Sequence, residues 1–160
     1  MKTTRSKTHP AQSNLLESLE TSFNPRPRCP VALVLDTSYS MQGAPIEELH
    51  GGIDLFIREI LKDECARYSV EMTVITFGGS VRQIMPFTSF ADKVEFGAPD
   101  LMASGMTPMG RALRLGLHEV NERKAYYKRC GVPYYQPWMV VMTDGLPNDD
   151  WRMAARKVRQ

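Results

Sequence analysis

A short, wholly apolar run that stops at an acidic residue constrains this chain more than any other feature. Residues 31–35 read Val-Ala-Leu-Val-Leu, and Asp36 follows directly. A continuous apolar run of this length, with β-branched residues in it, is typical of a strand that is covered on both faces. The sequence therefore predicts a buried strand of a parallel sheet, with a carboxylate at its carboxyl end.

The rest of the chain alternates between helix and strand patterns. Helical segments have apolar residues at intervals of three and four, and the other strands alternate or are short apolar runs. Seven segments follow in the order strand, helix, strand, strand, helix, strand, helix: residues 31–35, 45–62, 68–77, 81–87, 107–129, 138–143 and 149 onward. Gly78-Gly79 predicts an antiparallel connection between the second and third strands. This order predicts an α/β, Rossmann-like open sheet, mostly parallel with one antiparallel edge strand.

Two glycines stand inside the first predicted helix. Gly51-Gly52 lowers the helix propensity by about 1 kcal/mol per residue relative to alanine. We interpret the pair as a place where the helix approaches the sheet closely.

Length and charge limit the class of protein. The chain has 160 residues and a formal net charge of +2, which suits one domain with a proper core. Residues 1–28 are polar and end in Asn24-Pro25-Arg26-Pro27-Arg28, so we expect a flexible leader there and the folded domain over residues 29–160. The ends are basic and the middle is mildly acidic, which argues against a nucleic-acid groove. No apolar run is long enough for a membrane helix, and the basic start leads into polar residues, unlike a signal peptide. We therefore expect no membrane association and a cytoplasmic location.

Five oxygen-bearing side chains follow predicted strands or precede a predicted helix. Ligands of open α/β sheets bind at the carboxyl ends of the strands, where these loops meet. Carboxylate and hydroxyl oxygens suit Mg²⁺, which prefers six oxygen ligands and keeps water where the protein supplies none. The predicted metal ligands are Asp36, Ser38, Ser40, Thr107 and Asp144.

The same residues carry a resemblance to a known family. The pattern Asp36-x-Ser38-x-Ser40, then Thr107, then Asp144 resembles the metal-ion-dependent adhesion site of von Willebrand factor type A (VWA) domains. The flanking stretches are similar to one bacterial branch, the TerY-type proteins associated with tellurium resistance. These stretches include Arg28-Cys29-Pro30, residues 105–110, Arg123-Lys124, Pro133-Tyr134-Tyr135 and Thr143-Asp144-Gly145.

The resemblance implies a function and a division of roles. Hydroxyls of Ser38, Ser40 and Thr107 would bind Mg²⁺ or Mn²⁺ directly, and the two aspartates would act mostly through bound water. The open coordination position would take a carboxylate from a protein partner. The chain would then be an adaptor rather than an enzyme, working with kinase- or phosphatase-type partners in a bacterial stress or tellurium-resistance system.

Two departures from the family pattern bear on this expectation. Tyr39 stands where the family usually has glycine, so it would be strained at a positive φ or would be an exposed aromatic contact beside the site. Domains of this family also continue with further strands after the one that ends near Asp144. We therefore expect the 160 residues to be a C-terminally truncated domain, or a domain whose sheet is completed by a second chain.

Other interpretations stay open. In a haloacid-dehalogenase-like phosphatase, Asp36 would be the nucleophile, and Asp144 with Asp149 would bind magnesium. That chemistry needs a general acid two residues after the nucleophile, and Ser38 cannot supply it at neutral pH. A VWA-type fold with an inactive metal site is the third possibility. For the methionines around residue 107, core packing is favoured over an exposed apolar rim: Met102, Met106 and Met109.

Overall fold

The computed structural model describes residues 24–93 and 95–158, which form an α/β fold with one mixed sheet. The strands are β1 (Cys29–Asp36), β2 (Val70–Gly78), β3 (Ser80–Ser89) and β4 (Trp138–Met142). The helices are α1 (Ala44–Lys62), α2 (Glu64–Ser69), α3 (Met109–Cys130) and α4 (Arg152–Val158), and a short 3-10 helix spans Tyr39–Met41. The predicted order of strands and long helices is confirmed, and so is the mostly parallel sheet.

The sheet has the strand order β3-β2-β1-β4. β1 pairs in parallel with β2 on one side and with β4 on the other, whereas β2 and β3 form an antiparallel hairpin through Gly79. The chain therefore leaves β1 in one direction and returns to its other side at β4. This change of direction opens a crevice at the carboxyl end of β1, where ligands of such sheets bind.

Helices cover both faces of the sheet, as the apolar run of β1 predicts. Leu33 and Leu35 pack on one face against Ile53 and Ile57 of α1. On the opposite face, the buried side chains of the sheet pack against α3 and α4, and the cluster includes Val34, Ile75, Leu113 and Ala154. Alternate residues of one strand thus enter two separate cores, which fixes the register of β1.

Three details of the sequence interpretation are wrong. Gly51 and Gly52 are exposed, and a methyl group on either would meet no atom within 4 Å, so they mark no close approach to the sheet. Tyr68 belongs to α2 and not to a strand; this six-residue helix is too short to show a periodic pattern. The last helix begins at Arg152, because Asp149 serves a different helix.

Residues 24–28, which the sequence assigns to the leader, are fastened to the domain. The Asn24 side-chain amide donates a hydrogen bond to the Tyr68 carbonyl at 2.6 Å. Arg28 is buried and forms an ion pair with Glu71 at 3.2 Å. The remaining leader, residues 1–23, lies outside the described residues, so its flexibility stays a prediction.

A buried ionic network lies at the amino-terminal end of the sheet. Glu71 accepts from Arg28 and, at 2.6 Å, from Arg123 of α3. The Tyr127 hydroxyl also donates to the Glu71 carboxylate. Burial raises the pKa of Tyr127, and the negative charge of Glu71 raises it further. The network joins the residue before β1 to β2 and α3, at the end of the sheet opposite the predicted site.

Candidate functional site

Asp36 ends β1 inside the protein, and both of its carboxylate oxygens are engaged. Oδ1 accepts a hydrogen bond from the backbone N–H of Ser38 at 2.8 Å, which turns the chain sharply after the strand. Oδ2 accepts from the hydroxyl of Thr143 at 2.5 Å. The aspartate is fully buried, so it is held in one orientation at the carboxyl end of the central strand.

The two serines lie side by side above Asp36. The 3-10 helix that follows Ser38 brings Ser40 Oγ to 3.1 Å from Ser38 Oγ. Ser40 Oγ in turn donates to Asp144 Oδ1 at 2.8 Å, across 104 residues of sequence. The loops after β1 and β4 are therefore joined directly through two of the predicted ligands.

The loop that carries Thr107 reaches the same place, as the surroundings of Gly145 show. A Cβ atom built on this glycine would lie 3.4 Å from Ser40 Oγ, 3.8 Å from Asp36 Oδ2 and 3.8 Å from Thr107 Oγ1. Oxygens from three separate loops thus surround one small space. The structure brings all five predicted site residues together.

Thr107 does not serve as a helix cap. The cap position of α3 is Pro108, which provides no side-chain acceptor. No hydrogen bond joins Thr107 Oγ1 to any residue in the described part of the chain, so its oxygen is available for a ligand.

The donor set fits a small, hard cation. In an octahedron with metal–oxygen distances of about 2.1 Å, neighbouring ligands lie about 3 Å apart. The hydroxyl oxygens of Ser38 and Ser40, 3.1 Å apart, have this spacing. Within residues 24–93 and 95–158, no three His, Cys, Asp or Glu side chains cluster as metal ligands would. Any cation here would depend mainly on hydroxyls and water, with few carboxylates to neutralise it.

Asp149 and Thr143 are part of this architecture, and the predicted ligand set lacks both. Asp149 accepts from the backbone N–H groups of Gly110 and Arg111, at 2.7 and 2.9 Å, and so caps α3 from 39 and 38 residues away. Both carboxylate oxygens of Asp149 thus bind the first turn of α3, which argues against the magnesium-ligand role that the phosphatase interpretation gives to Asp149. Thr143 could have been suspected because it precedes Asp144 at the end of a strand, whereas a cap so distant in sequence leaves no local pattern.

Large apolar side chains around the site are exposed. They belong to the three loops that carry the oxygens or to the loops beside them, and their exposed fractions are high: Tyr39 69%, Met102 84%, Met106 64% and Leu146 91%. Only Met109 is buried, so core packing is wrong for two of the three methionines near residue 107. A groove of about 380 Å³ is lined by Thr37, Arg82 and Met102 among others.

The backbone of Tyr39 is not strained. It lies in the 3-10 helix, and among the described residues only glycines have positive φ values. The interpretation of Tyr39 as a strained replacement for glycine is therefore wrong. Its exposure agrees with the alternative, an aromatic side chain available for contact beside the site.

Comparison with known proteins supports the fold. The von Willebrand factor type A domain family matches residues 31–160. No curated protein matches the sequence. Similar solved structures include the PilB minor pilin from Streptococcus sanguinis, with a TM-score of 0.61 and 19% identity over 77% of this chain and 31% of that one. The vWF domain of the type V pili tip protein Mfa5 from Porphyromonas gingivalis has a TM-score of 0.57 and 18% identity over 75% of this chain and 38% of that one.

Proximal thread matrix protein 1 from the mussel byssus is also similar, with a TM-score of 0.53 and 15% identity over 85% of this chain and 34% of that one. The chain thus spans about a third of the length of these three solved chains. At such identities the likeness concerns the fold alone. None of the helices in the described ranges has the length and apolar character needed to cross a bilayer.

Proposed function

The chain belongs to the von Willebrand factor type A family, and on that premise we propose that it is a cation-dependent protein-interaction module. VWA domains are a family of protein-interaction modules. In this proposal the site binds Mg²⁺ or Mn²⁺, and the bound ion holds an acidic side chain of a partner protein. The protein acts as an adaptor and not as an enzyme.

The convergence of three loops on one small space carries the proposal. Ser38, Ser40 and Thr107 would hold the ion through their hydroxyl oxygens, with Asp36 and Asp144 acting through water. When bound, the ion supplies a positive centre that attracts a carboxylate. The residues of the chain orient that centre: Asp36 fixes the turn that carries both serines, and Asp144 fixes Ser40.

The surface around the site suits a protein partner. Tyr39, Met106 and Leu146 expose apolar area beside the oxygens. Aromatic residues and methionine are enriched at protein interfaces, where burial of their area stabilises the complex. A partner that places a carboxylate on the ion would cover these side chains at the same time.

The TerY-type resemblance of the sequence motifs motivates the biological setting that we propose. The partners would be kinase- or phosphatase-type proteins of a bacterial stress or tellurium-resistance system, and the adaptor would act in the cytoplasm. The motifs that carry the resemblance are structural in part. Arg28 and Arg123, for example, pair with Glu71 far from the cation site.

A metal titration tests the cation site. Adding millimolar Mg²⁺ or Mn²⁺ should raise the melting temperature, because a ligand that binds only the folded state stabilises it. Asp144→Ala should abolish the rise, whereas Asp150→Ala, an equal change of charge at an exposed neighbour, should preserve it. An unchanged melting temperature in the wild type would favour a VWA fold with an inactive metal site.

Peptide selection tests the partner chemistry. A displayed random-peptide library selected in Mg²⁺ should enrich sequences with Asp or Glu, and the enriched peptides should dissociate in EDTA and fail to bind Asp36→Ala. Peptides without a carboxylate that bind equally in EDTA would contradict the proposal. Hydrolysis of a phosphate ester that disappears in Asp36→Asn would revive the phosphatase interpretation.

A further inference from the structure

The first turn of α3 is capped by a residue far along the chain. Asp149 accepts hydrogen bonds from Gly110 N and Arg111 N, one on each carboxylate oxygen. Helix caps normally come from the residue just before the helix, because that residue is already in place. Here Pro108 occupies that position without a side-chain acceptor, so the cap is supplied from the loop after β4.

The residues around Asp149 are fastened to the same place. The backbone N–H of Asn148 donates to the Thr107 carbonyl at 3.1 Å. Gly110 lies so close that a Cβ atom on it would be 2.5 Å from the carbonyl oxygen of Asp150. Side chain, backbone and close packing together bind residues 148–150 to the segment that carries Thr107.

This attachment joins two of the three loops of the cation site. Asp144 and Gly145 belong to the loop that Asp149 anchors at its far end. Ser40 holds Asp144 from the other side, toward the loop after β1. The loop of Asp144 is therefore attached to Ser40 at one end and to the segment of Thr107 at the other.

We infer that Asp149 is a positioning residue for the cation site, setting the distance between the loop of Asp144 and the loop of Thr107. The inference rests on the proposed function. A cap that served α3 alone could come from its own N-terminus, but a cap from the β4 loop also makes the geometry of the site depend on α3. Outer residues that orient metal ligands typically change metal affinity by about 10- to 100-fold when removed.

A matched pair of cap variants separates positioning from simple stabilisation. Asp149→Ala removes the cap of α3, and Asp63→Ala removes the cap of α2, where Asp63 accepts from Ala66 N at 2.7 Å. Both should lower the melting temperature. Mn²⁺ affinity, followed by electron paramagnetic resonance, should fall at least about tenfold in Asp149→Ala and stay unchanged in Asp63→Ala. Asp149→Asn, which keeps one acceptor oxygen, should recover part of the loss.

A metal-free measurement keeps the inference distinct from the proposed function. In amide NMR spectra of the apoprotein, the resonances of Gly145 and Ser40 should shift in Asp149→Ala and not in Asp63→Ala. If the wild type binds no Mn²⁺ but these resonances shift, the cation proposal fails and the positioning role stands. If the wild type binds Mn²⁺ and Asp149→Ala binds it as tightly, or if Asp149→Ala leaves both resonances in place, the positioning role is overturned.

Discussion

Gly145 is the residue on which the interpretation of the site depends most directly. Its backbone does not need a positive φ, and an added methyl group would make only ordinary contacts, at 3.4 Å or more, with the oxygens of the site. Gly145→Ala should therefore fold normally and gain about 0.4–1 kcal/mol of stability from the smaller entropy of its unfolded chain. The methyl group would fill the space between the oxygens, so Mg²⁺ affinity should fall sharply.

Isothermal titration with Mg²⁺ alongside a thermal melt would measure both effects. Gly52→Ala, an exposed glycine in α1, is the control and should leave Mg²⁺ affinity unchanged. Unaltered Mg²⁺ affinity in Gly145→Ala would mean that the cation, if bound, lies elsewhere.

The individual site residues were predictable to a considerable degree. Asp36, Ser38 and Asp144 could be placed because each follows a strand whose apolar pattern is strong. Tyr39 could not be judged correctly, because its φ depends on a 3-10 helix that leaves no pattern in three residues. The sequence predicts that a helix starts near Asp149, and Asp149 does bind the start of a helix, but that helix is α3.

Among the elements, α1 is destabilised by two glycines in its interior. Gly51 and Gly52 are exposed in the middle of a 19-residue helix and have open space where a side chain would be. Replacing either with alanine should raise the free energy of unfolding by about 1 kcal/mol. Urea denaturation would measure this gain in the free energy of unfolding.

Gly110→Ala should instead destabilise the protein, because its methyl group would collide with the backbone of Asp150. Equal effects of all three changes would contradict the packing described for α1 and α3.

β4 lies at one edge of the sheet, opposite β3, and carries exposed apolar side chains. It pairs with β1, and within the described ranges no strand lies on its other side. Trp138, Val141 and Met142 are exposed along it. An apolar strand with free backbone groups along one edge promotes association, so the 160-residue chain should self-associate as its concentration rises.

A charge on that edge should suppress the association. Val141→Lys should shift the chain toward monomer in size-exclusion chromatography with light scattering, because strand edges with lysine pair poorly. Leu55→Lys, the same kind of change on the exposed face of α1, should have no such effect. A wild type that is monomeric at every concentration would contradict this prediction.

At the scale of the whole molecule, the Glu71 network couples stability to pH. Burial and the charge of Glu71 raise the pKa of Tyr127, so the folded protein keeps this phenol protonated where the unfolded chain, with a tyrosine pKa of about 10, releases the proton. Above pH 10 the unfolded state binds fewer protons. The free energy of unfolding should therefore fall, by up to about 1.4 kcal/mol per pH unit from this group.

Denaturant unfolding between pH 8.5 and 11 would show this slope. At pH 8.5 the free energy of unfolding of Tyr127→Phe should be lower than that of the wild type, since Glu71 loses one hydrogen-bond partner. As the pH rises, the free energy of unfolding of this variant should fall less steeply. Tyr135→Phe, at an exposed tyrosine, should keep the wild-type slope. Parallel curves for wild type and Tyr127→Phe would contradict the role given to this phenol.

The sequence predicts the general architecture better than the links that hold it together. Strand and helix patterns are local, so the order of elements and the parallel pairing follow from them. The partners of Glu71 do not follow from a local pattern. Glu71 is one polar residue of an alternating strand, and only the folded chain brings Arg28 and Arg123 to it. The exposure of Met102 and Met106 is equally hard to predict, because hydrophobicity alone does not reveal which side of a loop faces water.

The distance in sequence between Ser40 and Asp144, 104 residues, has a consequence for how the protein is made. A chain growing on the ribosome releases Asp36, Ser38 and Ser40 first, and Asp144 and Gly145 emerge only after about a hundred further residues. Until then, Asp36, Ser38 and Ser40 lack the remaining oxygens of the site. A partner that binds only the assembled site would not bind an incomplete chain. Complex formation would therefore wait until Asp144 has been synthesised and the domain has folded.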